Sequence, residues 1–177
     1  GAGTTVNMNA NEVIANRALA IMGHQYGEYQ FCSPNDHINA SQSTNDAYPT
    51  AFHFGLYLKT PELVEAMEKF IASLEAKAAE FKNVVKMGRT QLQDGVPMTL
   101  GQTFQAFANG MKEQVKCLKA TAEELLCINM GATAIGTGIC AEPGYSEKCV
   151  KAMCDITGFE FKLAEDLVGA TSDTSCM

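Results

Sequence analysis

The 177-residue sequence has no tryptophan, few basic residues and no long apolar run. Thirteen lysines and arginines stand against 20 aspartates and glutamates, so the net charge is −7. Without a basic patch the chain is not expected to bind nucleic acid. No apolar run approaches the roughly 18 residues that a membrane-spanning helix needs. The chain also opens on glycine, with neither a start methionine nor a signal peptide. We therefore expect no membrane partner.

Metal-binding and disulfide patterns are also lacking. The seven cysteines form no Cys-x-x-Cys pair, and His24, His37 and His53 lie far apart in sequence. A zinc site therefore has weak support. A disulfide framework is not expected in a chain of this length whose cysteines sit mostly in helical patterns. We expect buried, reduced thiols in a cytoplasmic protein.

Two long amphipathic segments dominate the sequence. Apolar residues recur at alternating spacings of three and four over 64–85, and again over 104–125. This pattern predicts two long helices with apolar seams. The segment 86–98 between them contains glycine and proline, which break the pattern, so we predict a loop there. Two long helices joined by one short loop should pack antiparallel, as in a helical bundle.

Shorter helices and little strand are predicted elsewhere. Pro61 is expected either to interrupt the helix that begins at 43–46 or to start the next one. Only 159–163 alternates as a strand does. The fold class is therefore all-α, a long-helix bundle with functional-looking loops between helices. The other predicted helices are 9–22, which ends before Gly23, and 145–157, which ends before Gly158.

Polar segments mark the candidate sites. Six polar residues in a row, 41–46, precede an apolar helix. A helix N-terminus with several hydroxyls can hold an anion without any cation, so an acidic protein can still bind a dicarboxylate there. A simple helix cap is the alternative interpretation, although a cap needs only one or two such residues.

Two further segments have ambiguous chemistry. Thr90 and Gln91 are uncharged donors suited to a carboxylate or an amine, whereas the neighbouring Arg89 is expected to pair with Asp94. The segment 136–141 matches the Gly-x-Gly-x-x-Ala dinucleotide pattern. Because it is predicted to follow a helix rather than a strand, we expect close backbone packing there instead of a nucleotide.

Four motifs occur in an order that identifies a family. They are Gly-Ala-Gly-Thr at 1–4, Ser-Gln-Ser-Thr-Asn-Asp at 41–46, Gly-Arg-Thr-Gln-Leu-Gln-Asp at 88–94 and Gly-Ala-Thr-Ala-Ile-Gly-Thr-Gly at 131–138. The chain resembles the aspartase/fumarase superfamily over essentially its whole length. Its opening motif, its Ser-Thr-Asn sequence and Gln91, where fumarases carry histidine, resemble the ammonia-lyase branch.

The resemblance implies that the chain is an interior fragment. Residues 1–40 would be the C-terminal part of the N-terminal domain, and 41–177 the first half of the central helical-bundle domain. The mobile Gly-Ser-Ser loop that carries the general-base serine in the family is absent from the sequence. We therefore expect no catalytic residue in this fragment, with the base beyond Met177.

The resemblance also implies a reaction, reversible elimination of ammonia from L-aspartate to give fumarate through an enediolate. Hydroxyls of the first two motifs would donate to the β-carboxylate, and an asparagine would contact the amino or carboxylate group. The 88–94 motif would reach in from a neighbouring subunit of a homotetramer. No cofactor is required, although Mg²⁺ activates some relatives. The implied substrate-binding residues are Thr4, Ser43, Thr44, Asn45, Thr90 and Gln91.

Two other functions stay open at this point. One is a fumarase-type hydro-lyase of the same superfamily. The other is a helical oligomerisation module without a ligand, which predicts that changing Ser43, Thr44 or Thr90 causes only small losses of stability.

Overall fold

The computed structural model describes residues 3–173, so Gly1 and Ala2 of the first motif, and Cys176, lie outside the described residues. The chain forms two compact units, Gly1–Tyr57 with Glu123–Met177 (the first unit) and Leu58–Ala122 (the second unit). The predicted all-α class is confirmed. The elements are α1 Thr4–Ile21, a π-helical turn Pro34–Ile38, α2 Thr44–Glu80, β1 Val85–Thr90, β2 Gln93–Thr99, α3 Leu100–Glu124, β3 Cys127–Ile128, α4 Tyr145–Thr157, β4 Lys162–Leu163 and α5 Leu167–Ser172.

The second unit contains the two predicted amphipathic helices. Val64, Ile71 and Leu74 of α2 pack against Ala108 and Val115 of α3 to form its core. Two exposed ion pairs join Glu75 to Lys112 and Glu68 to Lys119. From the first pair to the second, the residue number falls along α2 and rises along α3, so the two helices run antiparallel, as predicted. Exposed pairs of this kind contribute at most about 1 kcal/mol each, so the apolar seam holds the helices together.

Helix α2 runs without a break from Thr44 to Glu80. The prediction that Pro61 would interrupt it or start a new helix is wrong. A proline removes one helical hydrogen bond. The packing of Val64 and of the core residues that follow it stabilises the helix despite that loss. The predicted seam also extended too far, because α2 ends at Glu80 and Val85 begins a strand.

The predicted loop 86–98 is instead an antiparallel hairpin of β1 and β2. Its two turn residues, Gln91 and Leu92, have φ of 49° and 64°, the positive values of the tight hairpin turns. Arg89 lies opposite Asp94, and their side chains are 3.7 Å apart, as the predicted pairing requires. The hairpin is exposed along most of its length. Its sequence therefore lacks the alternation of apolar and polar residues that predicts a strand with one buried face.

The core of the first unit is aromatic and aliphatic. Leu126, Ile128, Met130 and Phe161 are the buried members of its main cluster, and the ring of Phe54 meets that of Phe161 edge-on at 5.1 Å. Ala15, Leu19 and Cys32 form a second buried cluster. Strands β3 and β4 pair in parallel beside this core. The predicted strand 159–163 is therefore shortened to its last two residues.

The helix ends in the first unit largely follow the sequence. Helix α4 has the predicted bounds, with Gly158 in the left-handed region at φ 77°. Helix α1 begins at Thr4, five residues before the predicted start, and ends just before Gly23 as expected. None of the helices described between residues 3 and 173 is both long and apolar enough to cross a bilayer.

All six cysteines among residues 3–173 are free thiols, as expected. The expectation that they are buried holds for Cys32 and is wrong for Cys117 and Cys140, which are exposed. Cys117 lies on α3, whose other faces are solvated, and Cys140 lies in a turn with φ of 66°.

Candidate functional site

The start of α2 is capped from within its own sequence. The Ser43 Oγ accepts a hydrogen bond from the Asn45 N–H at 3.1 Å, and the Asp46 carboxylate accepts one from the Ser43 N–H at 3.0 Å. This reciprocal pair is a capping box, with aspartate in the place of the usual glutamate. Ser43 and Asp46 therefore complete the cap without the Thr44 hydroxyl.

Asp46 ties this helix start to the segment 131–138. Its side chain is fully buried, and its second carboxylate oxygen accepts a hydrogen bond from the Thr133 N–H at 2.8 Å. Burial raises the pKa of the Asp46 carboxyl, although hydrogen bonds from the Ser43 and Thr133 backbone act in the opposite direction. Asp46 was not among the predicted site residues, although the Ser43-x-x-Asp46 spacing is a local signal that could have identified it.

Asn129 provides a second link between the same two segments. Pro49 has no N–H, so the Asn45 carbonyl four residues earlier has no donor within the helix. The Asn129 side chain donates to that carbonyl at 3.1 Å, and also to the Thr171 hydroxyl at 3.0 Å. Asn129 thus supplies the hydrogen bond that Pro49 cannot. Sequence reasoning missed it, because its partners lie far away along the chain.

The Asn45 side chain has a fixed orientation. Its amide Nδ2 donates to the Ala134 carbonyl at 2.7 Å. The residue is otherwise exposed, so the Oδ1 atom is the part of the amide that is available as an acceptor. Asn45 can therefore accept a hydrogen bond from a ligand's amino group through Oδ1, and one N–H of its amide remains as a donor.

The start of α1 lies against the start of α2. The Asn7 side chain donates to the Thr44 hydroxyl at 3.1 Å. Gly3 has φ of 89°, and a Cβ built there would lie 2.5 Å from carbons of the Tyr48 ring. Only glycine fits this close approach. Thr4, an exposed residue, is the first residue of α1 and lies one helical turn before Asn7.

A cleft opens beside Asn45. It has a volume of 430 Å³, and its walls combine Asn45 and Thr171 with the apolar side chains of Pro49, Ile135 and Val168. This volume lies within the range of small-molecule sites, roughly 300–1,000 Å³.

The six predicted site residues fall in two groups. Thr4, Ser43, Thr44 and Asn45 belong to the first unit, at two helix starts that are joined by the Asn7–Thr44 hydrogen bond. Thr90 and Gln91 belong to the second unit. There they share the exposed tip of the β1–β2 hairpin, where Thr90 pairs with Gln93 and Gln91 opens the turn.

The glycine-rich segment 131–138 packs closely, as predicted. A Cβ on Gly136 would lie 2.3 Å from the Val168 Cα. The segment follows the short strand β3 rather than a helix, which corrects the prediction. It forms turns and opens no helix, so it lacks the helix N-terminus that a dinucleotide pyrophosphate needs.

The described residues offer no obvious metal site. Among residues 3–173, no three His, Cys, Asp or Glu side chains are grouped so that they could hold a metal ion. The donor set at the two helix starts consists instead of hydroxyls and amides, which suit an organic anion or amine better than Mg²⁺.

The chain is similar to known lyases. A family model described as "Lyase" matches residues 1–176. Aspartate ammonia-lyase of Escherichia coli (strain K12) is 57% identical over 173 residues, which are 98% of this chain and 36% of that protein. Aspartate ammonia-lyase of Pseudomonas fluorescens is 56% identical over 174 residues, with the same coverage. The chain thus spans just over a third of the length of these relatives.

Solved structures agree with the sequence comparisons. A fumarate lyase:delta crystallin from Brucella melitensis, bound to cobalt, has a TM-score of 0.86 and 49% identity, over 99% of this chain and 38% of that chain. A recombinant class II fumarase from Schistosoma mansoni has a TM-score of 0.79 and 31% identity, over 96% of this chain and 39% of that chain.

Proposed function

The chain belongs to the lyase family, within the aspartase/fumarase superfamily, and on that premise we propose that it is part of an ammonia-lyase. The enzyme would convert L-aspartate reversibly to fumarate and ammonia. The observation that carries the proposal is the start of α2. There Ser43 and Asp46 complete the helix cap, so the Thr44 hydroxyl proton and the Asn45 Oδ1 atom remain for a ligand.

The donors at the two helix starts suit the hard step of the reaction. Removing an unactivated Cβ proton becomes feasible if the adjacent carboxylate takes a second charge as an enediolate. Preorganised donors aimed at that charge lower the barrier, as in an oxyanion hole. We propose that the hydroxyls of Thr4, Ser43 and Thr44 donate to this carboxylate. The positive end of the α2 helix dipole adds to their effect.

The opposite end of the substrate is assigned to the amide groups. Because the Asn45 Nδ2 atom is held by the Ala134 carbonyl at 2.7 Å, its Oδ1 atom would accept a hydrogen bond from the amino group that leaves. Thr90 and Gln91 would reach the α-carboxylate end from a neighbouring subunit. Gln91 can donate a hydrogen bond there but cannot act as a general acid or base.

The general base is proposed to lie outside these residues. The sequence contains no Gly-Ser-Ser, and the chain covers 36% of its Escherichia coli relative. In the proposed enzyme a serine beyond Met177 removes the Cβ proton. The 177 residues would then supply binding and charge stabilisation, while catalysis needs the longer protein.

Assembly into a homotetramer is part of the proposal. The second unit has an apolar groove of 380 Å³ between Phe70 and Phe107, two residues that are 53% and 57% exposed. A further copy of the helical unit would cover it. We expect sedimentation velocity on the complete enzyme to show a tetramer, and a stable, active monomer would contradict the shared active site.

Cofactor and compartment are proposed on chemical grounds. Hydroxyls, amides and a helix dipole can stabilise an enediolate without a metal or an organic cofactor. Turnover should therefore survive treatment with EDTA, and any fall that added Mg²⁺ reverses would identify Mg²⁺ as an activator. The free thiols among residues 3–173 suit the reducing cytoplasm.

The decisive assay compares two nucleophiles. With the complete enzyme we expect fumarate to be consumed only when ammonia is present, with aspartate as the product. A fumarase-type hydro-lyase, the second candidate, is favoured by the likeness to the class II fumarase; it would consume fumarate in water and yield malate. An oligomerisation module without a ligand would do neither.

A further inference from the structure

An asparagine on α1 contacts the Thr44 hydroxyl. The Asn7 Nδ2 atom lies 3.1 Å from Thr44 Oγ1 and 3.3 Å from Asn39 Oδ1. Asn7 is half-buried and is not one of the six predicted site residues. Its contact with the Thr44 oxygen can therefore affect the direction of that hydroxyl.

A second asparagine fixes which end of the Asn7 amide faces Thr44. Asn11 is 5% exposed, and its Nδ2 atom donates to the same Asn39 Oδ1 atom at 2.9 Å. Asn39 in turn donates its own amide to the Gln42 carbonyl at 3.5 Å. Since the Asn39 oxygen receives both bonds, Asn7 must present its NH₂ group to it, and the same NH₂ group then reaches Thr44.

The consequence concerns one proton. A threonine hydroxyl has one hydrogen and two acceptor lone pairs. When Asn7 donates to the Thr44 oxygen, the hydroxyl hydrogen cannot point back toward Asn7 and is turned to the other side. We infer that Asn7 is a positioning residue, which holds the Thr44 hydroxyl as a donor toward the substrate carboxylate. This inference rests on the proposed function.

Two substitutions at this position separate polarity from packing. Asn7→Asp keeps the shape of the side chain but replaces the donor with an acceptor, so the Thr44 proton would be captured by the new carboxylate. Asn7→Ala removes the donor and leaves the hydroxyl free to rotate. In the complete enzyme we expect kcat to fall about 10²–10³-fold for Asn7→Asp, the effect of losing one oxyanion donor. We expect a fall of only about two- to tenfold for Asn7→Ala, the value of one ordinary hydrogen bond.

The order of the two effects decides the question. A packing role predicts that alanine, which removes more atoms, is the more damaging change. The added charge is controlled by Asn9→Asp, which places the same charge on an exposed side chain two residues away on α1. An Asn7→Asp effect no larger than that of Asn9→Asp, or an Asn7→Ala effect as large as that of Asn7→Asp, would overturn the inference.

A double-mutant cycle tests the route through Thr44. If Asn7 acts by directing the Thr44 hydroxyl, adding Asn7→Asp to a Thr44→Val enzyme should lower kcat by no more than adding Asn9→Asp does. A double variant whose loss of kcat is the product of the two single losses would contradict the inference. If Asn7→Asp does not fold, Asn39→Ala removes the acceptor that orients Asn7. It should cost about two- to tenfold in kcat, and nothing further in Thr44→Val. A wild-type enzyme that makes no fumarate from aspartate refutes the proposed function itself, whereas an active wild type with an unimpaired Asn7→Asp variant refutes only this inference.

Discussion

Replacing Thr44 with alanine should damage turnover far more than folding. In the complete enzyme the change removes one hydroxyl and leaves the helix cap intact, because the cap consists of Ser43 and Asp46. The sequence alone allowed the Thr44 hydroxyl itself to be the cap, which would have made the two effects harder to separate. The structure therefore sharpens the expected difference between stability and rate.

The two magnitudes follow from the contacts of the hydroxyl. Thr44 Oγ1 accepts one half-buried hydrogen bond, from Asn7 at 3.1 Å. Losing such a bond costs about 0.5–1.5 kcal/mol of unfolding free energy. Losing one donor to an oxyanion costs about 10²–10³-fold in kcat, or roughly 3–4 kcal/mol of transition-state stabilisation. The effect on the rate should thus exceed the effect on folding by about 1.5–3.5 kcal/mol.

A matched threonine provides the control. Thr99 caps α3 as Ser43 caps α2: its hydroxyl accepts a hydrogen bond from the Gln102 N–H at 3.1 Å, and Gln102 bonds back to the Thr99 N–H at 2.8 Å. Thr99→Ala should cost about 1 kcal/mol of stability and leave kcat unchanged. Urea unfolding and steady-state fumarate production measure both quantities. Equal stability losses for the two variants with no specific loss of kcat in Thr44→Ala would refute the reasoning.

Three further outcomes are expected. His53 is 8% exposed, and burial lowers its pKa below the ordinary 6.5, although a hydrogen bond with the Cys127 backbone opposes the shift. The folded state then binds fewer protons than the unfolded state. The unfolding free energy should therefore have its full value above pH 6.5 and decrease as the pH falls through the lowered pKa of His53. His53→Gln should remove this pH dependence. Gly3→Ala should lower the unfolding free energy by at least about 1–2 kcal/mol, because φ is 89° and the new Cβ would meet the Tyr48 ring; an unchanged urea midpoint would contradict it. The 177-residue chain alone should release no fumarate from aspartate, and turnover within tenfold of the complete enzyme would place the base among these residues.

Local patterns predicted those parts of the fold that are set by local physics. The seam of Val64, Ile71 and Leu74 is buried against α3 as its spacing requires, and Gly158 ends α4 in the left-handed region. The hairpin was missed because Val85–Thr90 is almost wholly exposed and lacks alternation. The prediction that the helix is interrupted or begins at Pro61 was wrong because helix propensity describes an isolated helix, whereas tertiary packing stabilises α2.

The candidate site divides in the same way. The polar run at 41–46 was visible in the sequence. Ser43 and Asp46 form the helix cap, and ligand binding by Ser43, Thr44 and Asn45 stays a prediction. Asn129 and Asn7 were not identified, since each acts through a partner at least 32 residues away, and so does Asp46 in its bond to Thr133, although its cap with Ser43 is local. No local pattern encodes such long-range bonds, so only the folded chain shows which polar side chains are joined by them.

The most direct test is a crystal structure of the complete enzyme with succinate, which has the carbon skeleton of fumarate but no group to eliminate. We expect one succinate carboxylate to lie within hydrogen-bond distance of the Ser43 and Thr44 hydroxyls, with Asn7 still donating to Thr44. Succinate bound at another site, with the start of α2 contacted by water alone, would contradict the proposed role of this helix N-terminus.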